Sequence, residues 1–271
     1  MNAPTVPGRA SAPATVFASA PSPRLGILGG MGPLATAHFY RCLIESTPAH
    51  SDQDHLPVAI WADPSVPDRT RALLGRGPSP VPAMLAGLRW LEQAEVTCVA
   101  IPCNTAHAYV RELGEHTDVV ILDMITAALR SCHTVRPDVR RVGVLATRGT
   151  RAARLYEQAG KRLGLDILQV RPDTQERLVD AAISAVKSGG DLDRASRAIA
   201  EAARELCDDG AEVAVAACTE IPLVMAQAQA ILSIVDSTAA LVDHALTYLR
   251  ASPRVTVRPP DAGSSSRELG A

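Results

Sequence analysis

The chain has 271 residues, enough for one large domain or two of roughly 100 residues each with a real core. Its 47% hydrophobic but only 3% aromatic content makes that core one of Ala, Val, Leu and Ile, the usual filling of helix-flanked parallel sheets, and excludes a wholly disordered chain. A formal charge of −2 leaves no basic footprint for nucleic acid, and the arginines between Arg130 and Arg154 are spread over element ends and loops as solvated surface.

In chain order, residues 1–23 are rich in Ala, Pro and Ser. Pro4, Pro7 and Pro13 interrupt any apolar run that would make a secretion signal, so a disordered tail is expected there. Strands are predicted at 24–29, 57–62, 97–102 and 119–122, then at 141–147, 166–170, 212–217 and 232–235. Apolar runs that stop at Gly, Pro, Asn, Asp or Thr and alternate with longer amphipathic segments imply parallel sheets with helices on both faces. From 251 to 271, Pro259-Pro260 and Gly263-Ser264-Ser265-Ser266 imply a second disordered tail. No uncharged apolar run is long enough to span a bilayer, so no membrane is expected as a partner.

The two sets of strands answer each other. Leu25 corresponds to Val142, Cys103 to Cys218 and Asp123 to Asp236, at spacings of 117, 115 and 113 residues. Three unlike features sharing one spacing indicate a duplicated unit. The expected architecture is α/β: two pseudo-symmetric domains, each a mostly parallel four-stranded sheet flanked by helices. The first would comprise 24–125 plus 233–250 and the second 126–232, with the active site in the cleft that faces the carboxyl ends of both sheets.

Cys103 and Cys218 each follow a predicted strand where a helix begins. Unpaired N–H groups and the positive end of a helix dipole favour thiolate there, so either sulfur is a candidate base. Two thiols on opposite walls of a cleft suit the removal of a proton from one face of a carbon and its return on the other. Asn104, Thr105 and Thr219, with their neighbouring amides, are placed to hold a carboxylate as charge moves onto it. Cys42, Cys98, Cys132 and Cys207 fall within predicted helices or a strand and are expected to be core residues. With no C-x-x-C pair among the six cysteines, the sequence indicates reduced thiols in a cytosolic protein rather than a zinc ribbon or a disulfide framework.

Leu25–Thr36 (LGILGGMGPLAT), Asp63–Thr70 (DPSVPDRT), Pro102–His107 (PCNTAH), Leu145–Thr150 (LATRGT) and Cys218–Pro222 (CTEIP) resemble, in order, the aspartate-racemase branch of the aspartate/glutamate racemase superfamily. The resemblance runs from about Arg24 to Arg250. It implies a PLP-independent racemase of an acidic amino acid, aspartate first and glutamate second, with no cofactor and no metal. It further implies Cys103 and Cys218 as the paired acid and base, a homodimer, and Arg69 as the group that binds the substrate's side-chain carboxylate. Lys187, in Val186-Lys187-Ser188-Gly189, resembles a second carboxylate-binding position, and Met31, Thr147 and Glu220 are further substrate-binding candidates. A guanidinium fork independently suits a dicarboxylic amino acid. Cell-wall glutamate racemases carry an acidic residue where this chain has Gly29-Gly30-Met31, and a histidine where it has Glu220. Maleate isomerases also keep both cysteines and remain an in-family alternative.

Other classes fit less well. Gly30-Met31-Gly32-Pro33-Leu34-Ala35 satisfies the G-x-G-x-x-A dinucleotide fingerprint, but the strand-ending acid, Asp63, lies later than the roughly 20-residue spacing an NAD-dependent oxidoreductase needs. His50, Asp52, Asp54 and His55 have the composition of a metal cluster but share one short loop. Neither lysine, Lys161 or Lys187, follows a strand as a Schiff-base residue would. A non-catalytic dicarboxylate-binding protein has no need of two thiols.

Overall fold

The computed structural model describes residues 24–252. The expected tails therefore lie outside it, apart from Ala251, which ends the last helix, and Ser252. In chain order the first half contains β1 (Leu25–Gly29), α1 (Pro33–Ser46), β2 (Val58–Ala62), α2 (Arg69–Leu73), α3 (Val81–Gln93), β3 (Cys98–Ala100), α4 (Val110–Gly114), β4 (Val120–Ile121) and α5 (Met124–Val135). The second contains β5 (Arg141–Ala146), α6 (Arg148–Ala152), α7 (Leu155–Leu163), β6 (Asp166–Gln169), α8 (Pro172–Thr174), α9 (Ala181–Ser188), α10 (Leu192–Asp208), β7 (Val213–Ala217), α11 (Ala226–Gln229), β8 (Ile234–Asp236) and α12 (Ser237–Ala251). A π-helical turn, Gln175–Asp180, joins α8 to α9.

The strands form two four-stranded sheets, ordered β2-β1-β3-β4 and β6-β5-β7-β8, and every pairing is parallel. Each order maps onto the other when every strand number rises by four, so the repeat in the sequence is a repeat in topology. The inner strands β1, β3 and β7 are buried throughout, which requires the continuous Val, Ile, Leu and Ala runs that mark them.

The crossover helices are exchanged between the halves. The helix α5 leaves the first sheet but packs Ile125, Leu129 and Cys132 against Val142, Val144 and Tyr156 of the second. Conversely, α12 leaves the second sheet and buries Leu241, Ala245 and Leu249 against Leu25, Ile27 and Phe39 of the first. Asp123 and Asp236, the repeated acids, start these two helices: Asp123 accepts from the Ile125 and Thr126 amides, both at 3.0 Å, and Asp236 from Thr238 at 2.7 Å. One boundary differs from the expected division. Residues 234–236 pair with β7 in the second sheet, so the return to the first core begins at α12 rather than at 233.

The lobes approach closely where α2 meets α6. A side chain on Gly149 would stand 2.8 Å from both the Thr70 Cα and the Thr105 methyl, so only glycine fits.

Candidate active site

Cys103 and Cys218 follow the inner strands β3 and β7, but by different routes. Pro102 cannot donate to a ladder, so β3 stops at Ala100, and a tight turn over Pro102 joins the Cys103 amide to the Ile101 carbonyl at 2.7 Å. Cys218 succeeds β7 directly. Neither precedes an α-helix: the turns that follow are the 3₁₀ segments Thr105–Tyr109 and Ile221–Leu223. A helix dipole is therefore weak at both sulfurs.

The two cysteines line one cavity of about 20 Å³ between the lobes. Its walls carry every substrate-binding candidate read from the sequence: Met31, Arg69, Asn104 and Thr105 from the first lobe, Thr147, Lys187, Thr219 and Glu220 from the second. Asp68 and Thr70 also line it and were not singled out from the sequence, although both lie in the Asp63–Thr70 segment that supplied Arg69. A cavity of this size holds about one water. It adjoins a wider cleft of about 400 Å³, which shares Asp68, Arg69, Lys187 and Glu220 and is flanked by Leu34, Pro64 and Val66 opposite Val186. An amino acid reaches the sulfurs only if these walls part.

Arg69 is 9% exposed and opens α2. Its guanidinium donates to the carbonyls of Met31 at 2.9 Å, Val66 at 3.1 Å and Pro67 at 3.2 Å, while its buried Nε–H has no partner among the described residues. Asp68 is not spent on it, because its carboxylate caps α2 through the Arg71 amide at 2.7 Å. Lys187 lies in the last turn of α9 with Nζ 3.9 Å from Glu220 Oε1. Partial burial opposes its charge, yet Glu220 and the two cysteines prevail and raise its pKa.

The other oxygen of Glu220 accepts the Cys218 thiol at 3.0 Å. Burial, with Glu220 beside it, pushes that thiol well above the ordinary range, despite the opposing pull of Lys187. The expectation that strand-end geometry favours thiolate is thus reversed at Cys218: an adjacent carboxylate in a dry site outweighs a short 3₁₀ turn.

Asn104 is engaged on both sides of its amide. It accepts from the Tyr156 hydroxyl at 2.6 Å and donates to Ser237 Oγ at 3.0 Å, and Ser237 in turn donates to the Ala216 carbonyl at 2.7 Å. This buried chain ties the Cys103 segment to the strand that leads to Cys218. Tyr156 and Ser237 carry no local sequence signal for it. Thr105, Thr147 and Thr150 form a triangle of hydroxyls 2.9 to 3.1 Å apart across the lobes. His107 receives the Met124 amide on Nε2 at 3.1 Å, which leaves Nδ1–H to donate to the Cys103 carbonyl at 2.9 Å, and burial keeps the ring neutral by lowering its pKa.

The remaining cysteines divide. Cys98 and Cys132 are core residues whose thiols burial pushes up to about 12. Cys42 is half-buried, and Cys207 is exposed, contrary to the core position expected for it, because it lies on the outer face of α10. All six are free. The glycine turn after β1 is packed rather than open: Gly30, at φ +87°, lies with its Cα against the Asp63 backbone, and its amide bonds Thr36 Oγ1 at 2.9 Å. In the segment His50–His55, Asp54 accepts the His50 and Ser51 amides, both at 2.9 Å, and so closes a local turn.

Paired parallel sheets, each delivering a cysteine from an inner strand to one charged cavity, define a two-lobed α/β enzyme with a pseudo-symmetric centre. The chain belongs to the Asp/Glu/Hydantoin racemase family, which it matches over residues 28–245. It is 26% identical over 230 residues to the broad specificity amino-acid racemase RacX of Bacillus subtilis (strain 168), covering 83% of this chain and 98% of that one. The Picrophilus torridus aspartate racemase structure superposes with a TM-score of 0.75 at 27% identity, over 84% of this chain and 95% of that one. A Francisella tularensis glutamate racemase in complex with D-glutamate shares the fold, with a TM-score of 0.63 at 17% identity over 84% and 81% of the two chains.

Proposed function

We propose that this enzyme racemises an acidic amino acid, aspartate before glutamate, without a cofactor, by passing protons between the α-carbon and the two thiols. The observation that carries the reading is the shared cavity, in which Cys103 and Cys218 meet Arg69 and Lys187. One sulfur takes the α-proton, the electron pair moves toward the α-carboxylate, and the other sulfur's S–H delivers a proton from the opposite face. Hydroxyls of Thr105, Thr147 and Thr219 and the amides beside the cysteines offer donors to the growing carboxylate charge. The unpartnered Arg69 Nε–H and the Lys187 ammonium offer cationic donors to a second carboxylate.

The test is a panel of L- and D-amino acids in deuterated water, followed by loss of the α-proton signal in NMR. Neutral and basic members are included because the Bacillus subtilis relative is of broad specificity. Exchange fastest with aspartate supports the reading, and no exchange with any member removes it. The family likeness also points to a homodimer, which sedimentation would report as twice 28.5 kDa, and the reduced cysteines suit a cytoplasmic protein.

A further inference from the structure

Two features of the cavity are unequal between the halves. Cys218 has a carboxylate within hydrogen-bond reach, Glu220 Oε2 at 3.0 Å, and Cys103 has no side-chain partner of that kind among the described residues. Glu220 is itself 4% exposed and is braced by Thr219 Oγ1 at 3.4 Å and by Lys187 at 3.9 Å. It is therefore held against the sulfur rather than free to swing into solvent. We propose that Glu220 is a positioning residue that keeps the proton on Cys218 in the resting enzyme, so that Cys218 begins as the acid and Cys103 as the base.

The inference rests on the two-thiol racemisation proposed above and gives it a direction. Starting from rest, the Cys103 thiolate takes the α-proton, forming an S–H bond as the C–H bond breaks, and the electron pair stays on the substrate. Cys218 then gives its S–H proton to the other face and becomes a thiolate beside Glu220. That arrangement places two negative groups in contact and is relieved when Cys218 recovers a proton from water and Cys103 releases one. Substrate whose α-hydrogen faces Cys103 reacts directly from the resting form. Its mirror image must wait for the protons to exchange places.

The titratable and charged groups that line the cavity with Cys218 are Glu220, Lys187 on α9, Cys103, Arg69 at the start of α2 and Asp68 just before it, and the Tyr156 hydroxyl on α7 feels the sulfur's charge as well. Of these Glu220 alone bonds the sulfur, so its charge is the one to remove. Glu220→Gln keeps an acceptor and takes away the charge. It also strips Lys187 of its counterion, which acts on the sulfur in the same direction.

The experiment is a thiolate titration by absorbance at 240 nm, without substrate, in a Cys103→Ser background, with Cys103→Ser/Cys218→Ser as the blank. Glu220→Gln should bring the midpoint down by about 1 to 3 pH units, whereas Glu220→Asp should largely restore the original midpoint. An unchanged midpoint in Glu220→Gln, or Glu220→Asp titrating like Gln, overturns the proposal. If Glu220→Gln fails to fold, Lys187→Ala in the same background serves instead: its midpoint must rise, and a fall or no change is fatal. With the native cysteines, Glu220→Gln should also change the ratio of the saturated L-to-D and D-to-L kcat values below neutral pH, with the two KM values moving in step because the equilibrium constant of a racemisation is one. Because the titration uses no substrate, absence of α-proton exchange in the native enzyme would sink the racemase reading while leaving the hold of Glu220 on Cys218 to be judged separately.

Discussion

A thiol three residues past a broken strand and a thiol directly after an unbroken one are not interchangeable, even in a duplicated fold. Cys103→Ser and Cys218→Ser should each abolish two-way racemisation, with a loss of at least roughly 10²–10⁴-fold, and should leave the circular dichroism spectrum unchanged; full turnover in either variant would refute the two-base chemistry. Arg69 offers a sharper test of specificity. Its fork is partly committed to the Met31, Val66 and Pro67 carbonyls, so Arg69→Lys keeps the charge and loses the geometry. Losing one charge-assisted bond of about 1.5–3 kcal/mol should raise KM for aspartate roughly tenfold to a hundredfold. Neutral amino acids should change far less, and equal losses on both would remove Arg69 from substrate recognition. The residue types and their order were legible before the fold was known. The reversal at Cys218 was not, since Glu220 stands only two residues away in sequence but its grip depends on side-chain direction and on the exclusion of water.

Helices α5 and α12 each begin on a repeated aspartate and each cross to the other lobe's core, so their caps bear on both halves. Asp123→Ala and Asp236→Ala should each cost about 1 kcal/mol in urea unfolding. The Asp123 carboxyl carries a pH signature as well. Partial burial opposes its charge, but the bonds from Thr126 and Ile125 prevail and lower its pKa. A depressed carboxyl contributes its stability above the unfolded value of about 3.9 and loses it as the pH falls through the folded one. The gap between native and Asp123→Ala protein should therefore narrow in acid below about pH 4, and a gap that stays constant down to the lowest folded pH would show that the charge plays no part. Element positions followed well from apolar runs and capping acids. The end of β3 did not, because Pro102 extends an apolar run while lacking the N–H that the ladder needs.

At the scale of the molecule, the cavity of about 20 Å³ that holds the two cysteines is too small for an amino acid, while the cleft outside it offers about 400 Å³. The Asn104–Tyr156–Ser237 chain and the threonine triangle bind the lobes together behind the cysteines. Among the described residues no side-chain hydrogen bond or ion pair joins Pro64–Asp68 to Val186–Lys187 at the front. Hydrogen exchange should accordingly be faster at 64–68 and 186–190 than in β1, β3, β5 and β7, and saturating aspartate should slow the front segments selectively. At about 100 times its Kd, the ligand should add about 2.7 kcal/mol to stability. Uniform protection throughout the chain, or none at the front, would contradict a front-opening cleft.

The sequence alone determined the parallel strands, the duplication with its spacing near 115 residues, and the chemical types along the cavity wall, because burial patterns, capping acids and repeated motifs are local and survive in one dimension. Tertiary structure decided which lobe each crossover helix completes, where Asn104 spends its amide, and that the Cys218 sulfur stands against Glu220. These depend on which distant groups share a water-poor space, and the energy of a charge or a hydrogen bond there is set by neighbours that the order of residues does not reveal.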